Sequence, residues 1–237
     1  MIDLHTHILC GVDDGAPDEE TSLQMLRMEQ TQGVDTVVLT PHFYRYRETP
    51  EEFLCRRKEA LGRLQAHLDR LPEEEQAGLP RLLTGAEVAW VPNLQECELL
   101  EQMCLNGTEF LLLELPYMKW DGTLVEQIYD LMTKTGLTPV LAHLDRYRGL
   151  QKPERIREMM DLDVPVQVSA EAFLHMSTKG YGMKLLRECA PVLASDCHNT
   201  ASRKPDLGDA MAVIGKKLGP QLVSAIDEEA RSLVGLG

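Results

Sequence analysis

Short apolar runs alternate with amphipathic stretches along the whole chain, and this alternation predicts repeated strand–helix units. Strands are expected at Ile2–His5, Thr36–Thr40, Arg81–Val88, Phe110–Leu115, Pro139–Ala142, Val164–Ser169 and Pro191–Ala194. Helices are expected at Glu19–Gln32, Glu51–Arg70, Leu124–Thr135, Pro153–Leu162 and Asp209–Leu218. Several strands are apolar at consecutive positions, which is typical of a parallel sheet that is covered on both faces.

The length of the chain, 237 residues, is close to that of one α/β barrel. The sequence contains no internal repeat, low-complexity tract or flexible linker, so we expect one domain over residues 1–237. Seven strand–helix units would form a slightly small barrel. Periodicity alone does not distinguish such a barrel from an open, doubly wound sheet.

Composition narrows the class of protein. The chain has 24 basic and 38 acidic residues and a net charge of −14, which disfavours binding to nucleic acid or to an anionic membrane. We find neither an apolar run long enough for a membrane span nor a signal peptide. The six cysteines form no Cys-x-x-Cys pair and no disulfide framework. We therefore expect a soluble cytoplasmic protein with reduced cysteines.

Candidate chemistry is concentrated where the predicted strands end. Five of the seven histidines lie there, together with three carboxylates: His5, His7, His42, Glu87, Glu114, His143, Asp196 and His198. Active sites of parallel barrels and open α/β sheets are built at this edge. Histidine and carboxylate ligands without thiolates suit Mn²⁺, Fe²⁺ or Zn²⁺. The sequence thus predicts a multinuclear metal site.

Three of these positions are the strongest evidence for a metal site. His5 and His7 are two residues apart on a strand, so their side chains should point the same way. Glu114 lies within an apolar run, where an unpaired carboxylate is costly to bury and needs a cation. His67 and His175 lie outside the pattern, and we interpret both as ordinary surface or helix residues.

Six short segments contain most of the candidate residues: Asp3-Leu-His-Thr-His7, Val12-Asp-Asp-Gly15, Thr40-Pro-His42, Gly85-Ala-Glu87, Ala142-His-Leu-Asp-Arg-Tyr147 and Ser195-Asp-Cys-His-Asn199. In order and spacing they resemble the polymerase-and-histidinol-phosphatase superfamily. Within it, they are similar to the bacterial manganese-dependent protein-tyrosine phosphatases of capsule and exopolysaccharide operons. The resemblance runs along the whole chain.

The resemblance implies a distorted (β/α)₇ barrel, TIM-like, that holds three divalent ions, with Mn²⁺ expected. Carried over by position, the first ion would be held by His5, His7, Glu87 and Asp196. Glu87 would bridge to a second ion, which Glu114 and His143 also bind. The third would be held by Asp14, His42 and His198, with Asp13 as the alternative to its neighbour. Arg146 and Arg203 match the positions that bind the phosphate, a role that suits a guanidinium group.

The function implied by the resemblance is direct hydrolysis of phosphotyrosine by a metal-bridged hydroxide, without a phosphoenzyme. The expected partner is a phosphotyrosyl protein, namely a bacterial tyrosine autokinase. Aromatic and basic residues at Phe43–Arg47 either contact that substrate or form an ordinary exposed loop. A small phosphomonoester such as histidinol phosphate is the alternative substrate. A nuclease is disfavoured by the net charge, and a non-enzymatic scaffold by the complete ligand set.

A competing motif is also present. Cys197 and Arg203 form a Cys-x₅-Arg segment, the skeleton of the cysteine-dependent tyrosine phosphatases. The intervening residues lack the glycines that a tight anion-binding loop normally uses. We therefore interpret Cys197 as a packing residue. Its replacement by serine would distinguish the two mechanisms.

Overall fold

The strands of this computed structural model, which describes residues 1–189 and 191–237, form a ring of seven positions. They are β1 Ile2–Thr6, β2 Thr36–Leu39, β3 His42–Phe43, β4 Arg81–Thr84, β5 Glu87–Ala89, β6 Phe110–Glu114, β7 Thr138–Leu141, β8 Gln167–Ser169 and β9 Val192–Ala194. β2 and β3 follow one another along one position of the ring, and β4 and β5 do so along another. The predicted strand over residues 81–88 is therefore interrupted at Gly85 and Ala86.

All strand pairs are parallel, in the order β1–β2–β4, β3–β5–β6–β7 and β8–β9. Two further joins make the ring continuous. At the first, the Leu141 amide donates to the carbonyl of Pro165 at 2.9 Å. At the second, the His7 amide donates to Cys197, and the Asp196 amide to His5, each at 2.9 Å. These joins confirm the predicted distorted (β/α)₇ barrel rather than the alternative of an open sheet.

Helices follow the strands on the outside of the ring. They are α1 Glu19–Thr31, α2 Pro50–Leu68, α3 Glu73–Gln76, α4 Leu124–Thr135, α5 Pro153–Met160, α6 Met176–Glu188, α7 Leu207–Leu218 and α8 Pro220–Leu233. The five predicted helices are confirmed, but the apolar pattern predicts none of α3, α6 and α8. Gly180 and Gly182 weaken the helical signal in α6. Among the described residues, no helix is both long and apolar enough to cross a bilayer.

An apolar layer fills one end of the ring. Side chains from six strand positions, including Leu4, Val38, Leu112 and Val192, pack together with Leu233 and its neighbours at the end of α8. The amide of Ile2 also donates to the Asp227 carboxylate of α8 at 2.8 Å. α8 therefore closes the end where the strands begin. The opposite end, where the strands finish, is left for polar side chains.

Candidate metal centre

Inward-facing positions change from apolar to ligand-type along individual strands. On the strand formed by β2 and β3, Val38 in the apolar layer is followed at two-residue intervals by Thr40 and His42. In the same way, Glu87 follows Leu83 and Asp196 follows Val192, each after four residues. Because side chains alternate between faces with a period of two, the ligand-type groups meet just above the apolar layer.

The first group of ligand atoms comes from His5, His7, Glu87 and Asp196, all buried. The Nε2 atoms of His5 and His7 are 3.2 Å apart. Each lies 3.3 Å from Glu87 Oε2, and they lie 3.4 and 3.2 Å from Asp196 Oδ1. Ligands that surround one ion at about 2.1 Å are about 3.0–3.4 Å apart, so these spacings fit a divalent metal. The same four residues form the predicted first set.

Two neighbouring groups extend the cluster. His42, Glu87 and Glu114 have ligand atoms within 4.8 Å of one another. His143, which the resemblance places with Glu114, has its Nε2 2.8 Å from Glu87 Oε1 and 3.7 Å from Glu114 Oε1. The other group contains the predicted third set together with His7: His7, Asp14, His42 and His198. Asp14 Oδ1 is 3.5 Å from the Nε2 atoms of both His42 and His198.

The structure thus brings all nine predicted metal ligands to one end of the barrel. Within the part of the chain that the structure describes, four buried atoms that face this cluster lack a hydrogen bond of acceptable geometry: His42 Nδ1, Glu87 Oε2, Asp196 Oδ1 and His198 Nε2. Buried polar atoms without partners are costly, and a cation between them would supply the missing interaction. The donor set, its spacing and these unpartnered atoms all fit divalent metal ions.

Electrostatics adjust the protonation of these ligands. Burial favours the neutral acids, but the adjacent His5 and other imidazoles hold the pKa values of Glu87 and Asp196 well below their usual range. Burial likewise opposes charge on His5 and His7, yet the neighbouring carboxylates raise both pKa values. In contrast, burial and the nearby His7 lower the pKa of His198 to about 4. The metal-free cluster therefore stores protons that a cation would displace.

Asp13 and Asp14 have different roles despite being adjacent. The Asp13 carboxylate accepts hydrogen bonds from His7 Nδ1 at 2.7 Å and from the amides of Gly15 and His42, each at 2.9 Å. Burial favours its neutral form, but these bonds lower the pKa of Asp13 to about 2. A Cβ atom at Gly15 would lie 2.1 Å from the His7 carbonyl oxygen, so only glycine lets this loop fold over His7. Asp13 orients His7, and Asp14 faces the cluster.

Two further positioning residues are absent from the sequence prediction. Gln167 Oε1 lies 3.2 Å from His5 Nδ1 and accepts a 2.6 Å hydrogen bond from the His143 amide. Buried Asp3 accepts from the amides of His5, at 3.3 Å, and Ser195, at 3.1 Å. Both are polar residues inside otherwise apolar strands, which is the signal that could have identified them.

Both predicted phosphate-binding arginines reach the cluster. Arg146, on the 3₁₀ turn Leu144–Gly149, and Arg203 form ion pairs with the same atom, Asp196 Oδ2. The Arg203 guanidinium is 2.7 Å from this atom. The amides of His198 and Asn199 donate to the Arg203 carbonyl, and the Arg203 amide donates to Asn199 Oδ1, so the segment folds back toward the strand. Each guanidinium is partly exposed. Their remaining donors are therefore available beside the first ligand group.

The aromatic loop after β3 also borders the site. The Tyr44 ring stacks on His42, with centroids 5.1 Å apart, and the Arg47 guanidinium lies 4.4 Å from the centre of the Tyr44 ring. Burial and the nearby Glu114 raise the pKa of Tyr44, so its hydroxyl stays protonated. Asp14, His42, Tyr44 and Arg47 line a cavity of about 350 Å³. Phe43 is buried whereas Tyr46 and Arg47 are exposed, so a substrate contact at Phe43–Arg47 stays a prediction.

The cysteine and the outlying histidines do not contribute to the cluster. Cys197 is fully buried, and its Sγ lies 3.6 Å from Glu29 Oε1. Burial and this carboxylate raise the pKa of the thiol well above its usual range, opposite to the need of a thiolate nucleophile. His67 lies in α2, and His175 is 62% exposed at the start of α6. Neither belongs to the ligand groups, but His175 lines the cavity that Arg146 and Arg203 also line.

Comparison with known proteins agrees with this geometry. The family model described as "Capsular polysaccharide synthesis, CpsB/CapC" matches residues 1–233. The chain is 34% identical to tyrosine-protein phosphatase CpsB of Streptococcus pneumoniae, over 92% of this chain and 91% of the relative. It is 28% identical to tyrosine-protein phosphatase YwqE of Bacillus subtilis, over 99% and 91%.

A solved structure extends the comparison to the fold. It belongs to work on the crystal structures of B. subtilis YwqE and S. pneumoniae CpsB, described there as unique metal-dependent tyrosine phosphatases. It superimposes with a TM-score of 0.84 and 26% identity, over 100% of this chain and 95% of that one. The chain therefore belongs to the CpsB/CapC family of capsular polysaccharide synthesis proteins.

Proposed function

We propose that this chain is a metal-dependent protein-tyrosine phosphatase, which hydrolyses the phosphate monoester of phosphotyrosine. The observation that carries the proposal is the placement of two arginines and a metal-type ligand cluster around one carboxylate, Asp196. The names of the CpsB and YwqE relatives support the same activity. Their metal dependence is stated for the structural relative.

The proposed ligand sets follow the predicted ones. His5, His7, Glu87 and Asp196 hold one ion, and Glu87 with Glu114 and His143 a second. Asp14, His42 and His198 hold a third, with Mn²⁺ proposed at all three. His42 lies close enough to Glu87 to contribute to the second ion as well, because its Nδ1 is 2.8 Å from Glu87 Oε2. When bound, such ions supply Lewis-acid stabilisation of the phosphate oxygens and activate water.

The chain's own residues bind and orient the substrate. Arg146 and Arg203 each carry a planar set of N–H donors that can hold two phosphate oxygens, and both stand beside Asp196. The phosphotyrosine ring is proposed to lie against Tyr44, in the cavity next to His42. The leaving phenol has a pKa of about 10, so it needs less protonation than an aliphatic alcohol would.

The physiological partner proposed is a phosphorylated bacterial tyrosine autokinase, with the reaction taking place in the cytoplasm. All six cysteines are free, including exposed Cys55, which is consistent with a reducing compartment. The negative net charge supports a protein substrate over a nucleic acid.

The proposal is tested by substrate selectivity. Protein stripped with a chelator and reloaded with Mn²⁺ is assayed on a phosphotyrosyl peptide, the matching phosphoseryl peptide and histidinol phosphate. We expect kcat/KM to be highest for the phosphotyrosyl peptide. Preferential turnover of histidinol phosphate would support the metal site but show that the substrates are small phosphomonoesters rather than phosphotyrosyl proteins. Turnover of none of the three would contradict the proposed activity.

A further inference from the structure

A second cavity lies outside the metal centre, between α5 and α6. Its volume is about 260 Å³, and we call it the α5–α6 groove. Buried Ile156 and Leu185 lie at its base, and half-buried Tyr181 forms part of its wall. The groove is therefore apolar at its base and open along its length.

The rim of the groove is basic. Arg148, Arg157 and Lys184 line it, and all three residues are exposed. The one acidic residue among the lining side chains, Glu188, is 3.7 Å from Lys184 Nζ and offsets only part of this charge. The rim therefore carries a net positive charge, although the chain as a whole has a net charge of −14.

Tyr181 holds one of these cations in place. The Arg148 guanidinium lies 4.7 Å from the centre of the Tyr181 ring, across the groove from α5. A cation–π contact of this kind orders the side chain while its N–H donors remain free for an anion. The groove thus offers an ordered donor beside an apolar base.

The groove is connected to the proposed phosphate site. Arg148 and Arg146 belong to the same 3₁₀ turn, Leu144–Gly149, two residues apart, so their Cα atoms are within about 7 Å. Gln151, which also lines the groove, binds the amide of Trp120 and the carbonyl of Met118 on the loop after β6. One turn thus carries both Arg146 at the proposed phosphate site and Arg148 at the groove.

We propose that the α5–α6 groove binds an acidic segment of the phosphoprotein substrate that flanks the phosphotyrosine, with one apolar residue at the base. The inference rests on the proposed phosphatase function and adds a peptide-binding subsite to it. Charge complementarity selects this occupant, because the basic rim attracts acidic side chains while the rest of the negative chain repels them. Electrostatic contacts of this type change substrate binding more than the chemical step.

The test uses Mn²⁺-loaded protein and three substrates: a phosphotyrosyl peptide flanked by glutamates, the same peptide flanked by serines, and free phosphotyrosine. The double variant Arg157→Glu/Lys184→Glu reverses two rim charges far from the ligand cluster. Lys216→Glu/Lys217→Glu, at the exposed end of α7, is the matched control with the same change in net charge. Arg157→Gln/Lys184→Gln, with unfolding midpoints for all variants, separates charge from folding.

We expect the groove variant to raise KM for the acidic peptide at least fivefold, with kcat unchanged and free phosphotyrosine unaffected. The glutamine variant should give a smaller increase, and the α7 control less than twofold. Equal KM values for the groove and control variants would overturn the proposal, as would equal KM values for the two peptides with the wild-type protein. If the wild-type protein hydrolyses none of the three substrates, the proposed phosphatase function fails instead.

Discussion

The Asp13→Ala variant tests the inference that Asp13 controls metal binding by orienting His7. The Asp13 side chain is 5% exposed and accepts three hydrogen bonds, one from His7 Nδ1 and two from backbone amides. The bond to Nδ1 fixes the proton on that nitrogen and leaves Nε2, in the first ligand group, free to bind a cation. Without it, His7 can rotate or adopt the other tautomer.

The expected loss follows from comparable partners of metal-binding histidines. Removal of such a partner typically lowers metal affinity by about 10- to 100-fold, which corresponds to about 1.4–2.7 kcal/mol. The variant also leaves the amides of Gly15 and His42 without their acceptor. Each amide that no water reaches would lower the free energy of unfolding by about 1–3 kcal/mol. Asp13→Asn, which keeps an acceptor oxygen, should lose less in both respects.

The assay is competitive titration of chelator-stripped protein with Mn²⁺, at a temperature where every variant is folded. Asp18→Ala is the control, because Asp18 caps the start of α1 by accepting from the Thr21 amide and takes no part in the cluster. That cap is worth about 1 kcal/mol of stability and should not change metal affinity. Wild-type affinity in Asp13→Ala would refute the reasoning, as would equal losses in the Asp13 and Asp18 variants.

Three further predictions follow from the same site. Neighbouring carboxylates raise the pKa values of His5 and His7, so both hold a proton to higher pH than a free imidazole; Mn²⁺ binding should therefore release protons and weaken as the pH falls, and calorimetry in two buffers of different ionisation enthalpy that finds no release would contradict this. Cys197→Ala should keep phosphatase turnover within about twofold while losing about 1–2 kcal/mol of stability from a buried cavity, whereas an inactive but folded variant would restore the thiolate mechanism. Arg203→Ala should lower kcat/KM by about 10- to 100-fold through loss of a charge-assisted contact, and Arg146→Ala similarly; steady-state kinetics with unchanged values would remove these arginines from phosphate binding.

The barrel and its ligand cluster could be predicted because the signals are local. The apolar strands are visible in the sequence itself. So are the polar residues that follow on the same face at an even spacing, as Asp196 follows Val192 after four residues. Gly33 and Gly136 also take the left-handed backbone conformation expected just after helices, with φ of +80° and +72°. Gly219 has a positive φ of +95° too, but there it leads directly into α8.

What could not be predicted depends on contacts distant in the sequence. Gln167 supports His5 across 162 positions, and no local pattern indicates which histidine a buried glutamine will face. The choice between Asp13 and Asp14 depends on the path of the loop over His7, which Gly15 permits. His143 and Asp196 adopt left-handed backbone, with φ of +33° and +53°. Such strained conformations are imposed by the surrounding fold, and in this chain two proposed ligands have them.

The central claim, that metal ions held at the mouth of the barrel perform the hydrolysis, is tested most directly with Glu87→Gln. Glu87 is buried among four histidines and belongs to two of the three ligand groups. Metal content and phosphotyrosine turnover are measured on the same Mn²⁺-loaded samples, with His67→Gln, on α2 outside the ligand groups, as the control. We expect Glu87→Gln to lose bound metal and turnover together and His67→Gln to retain both. A Glu87→Gln protein with full metal content and full turnover would contradict the account.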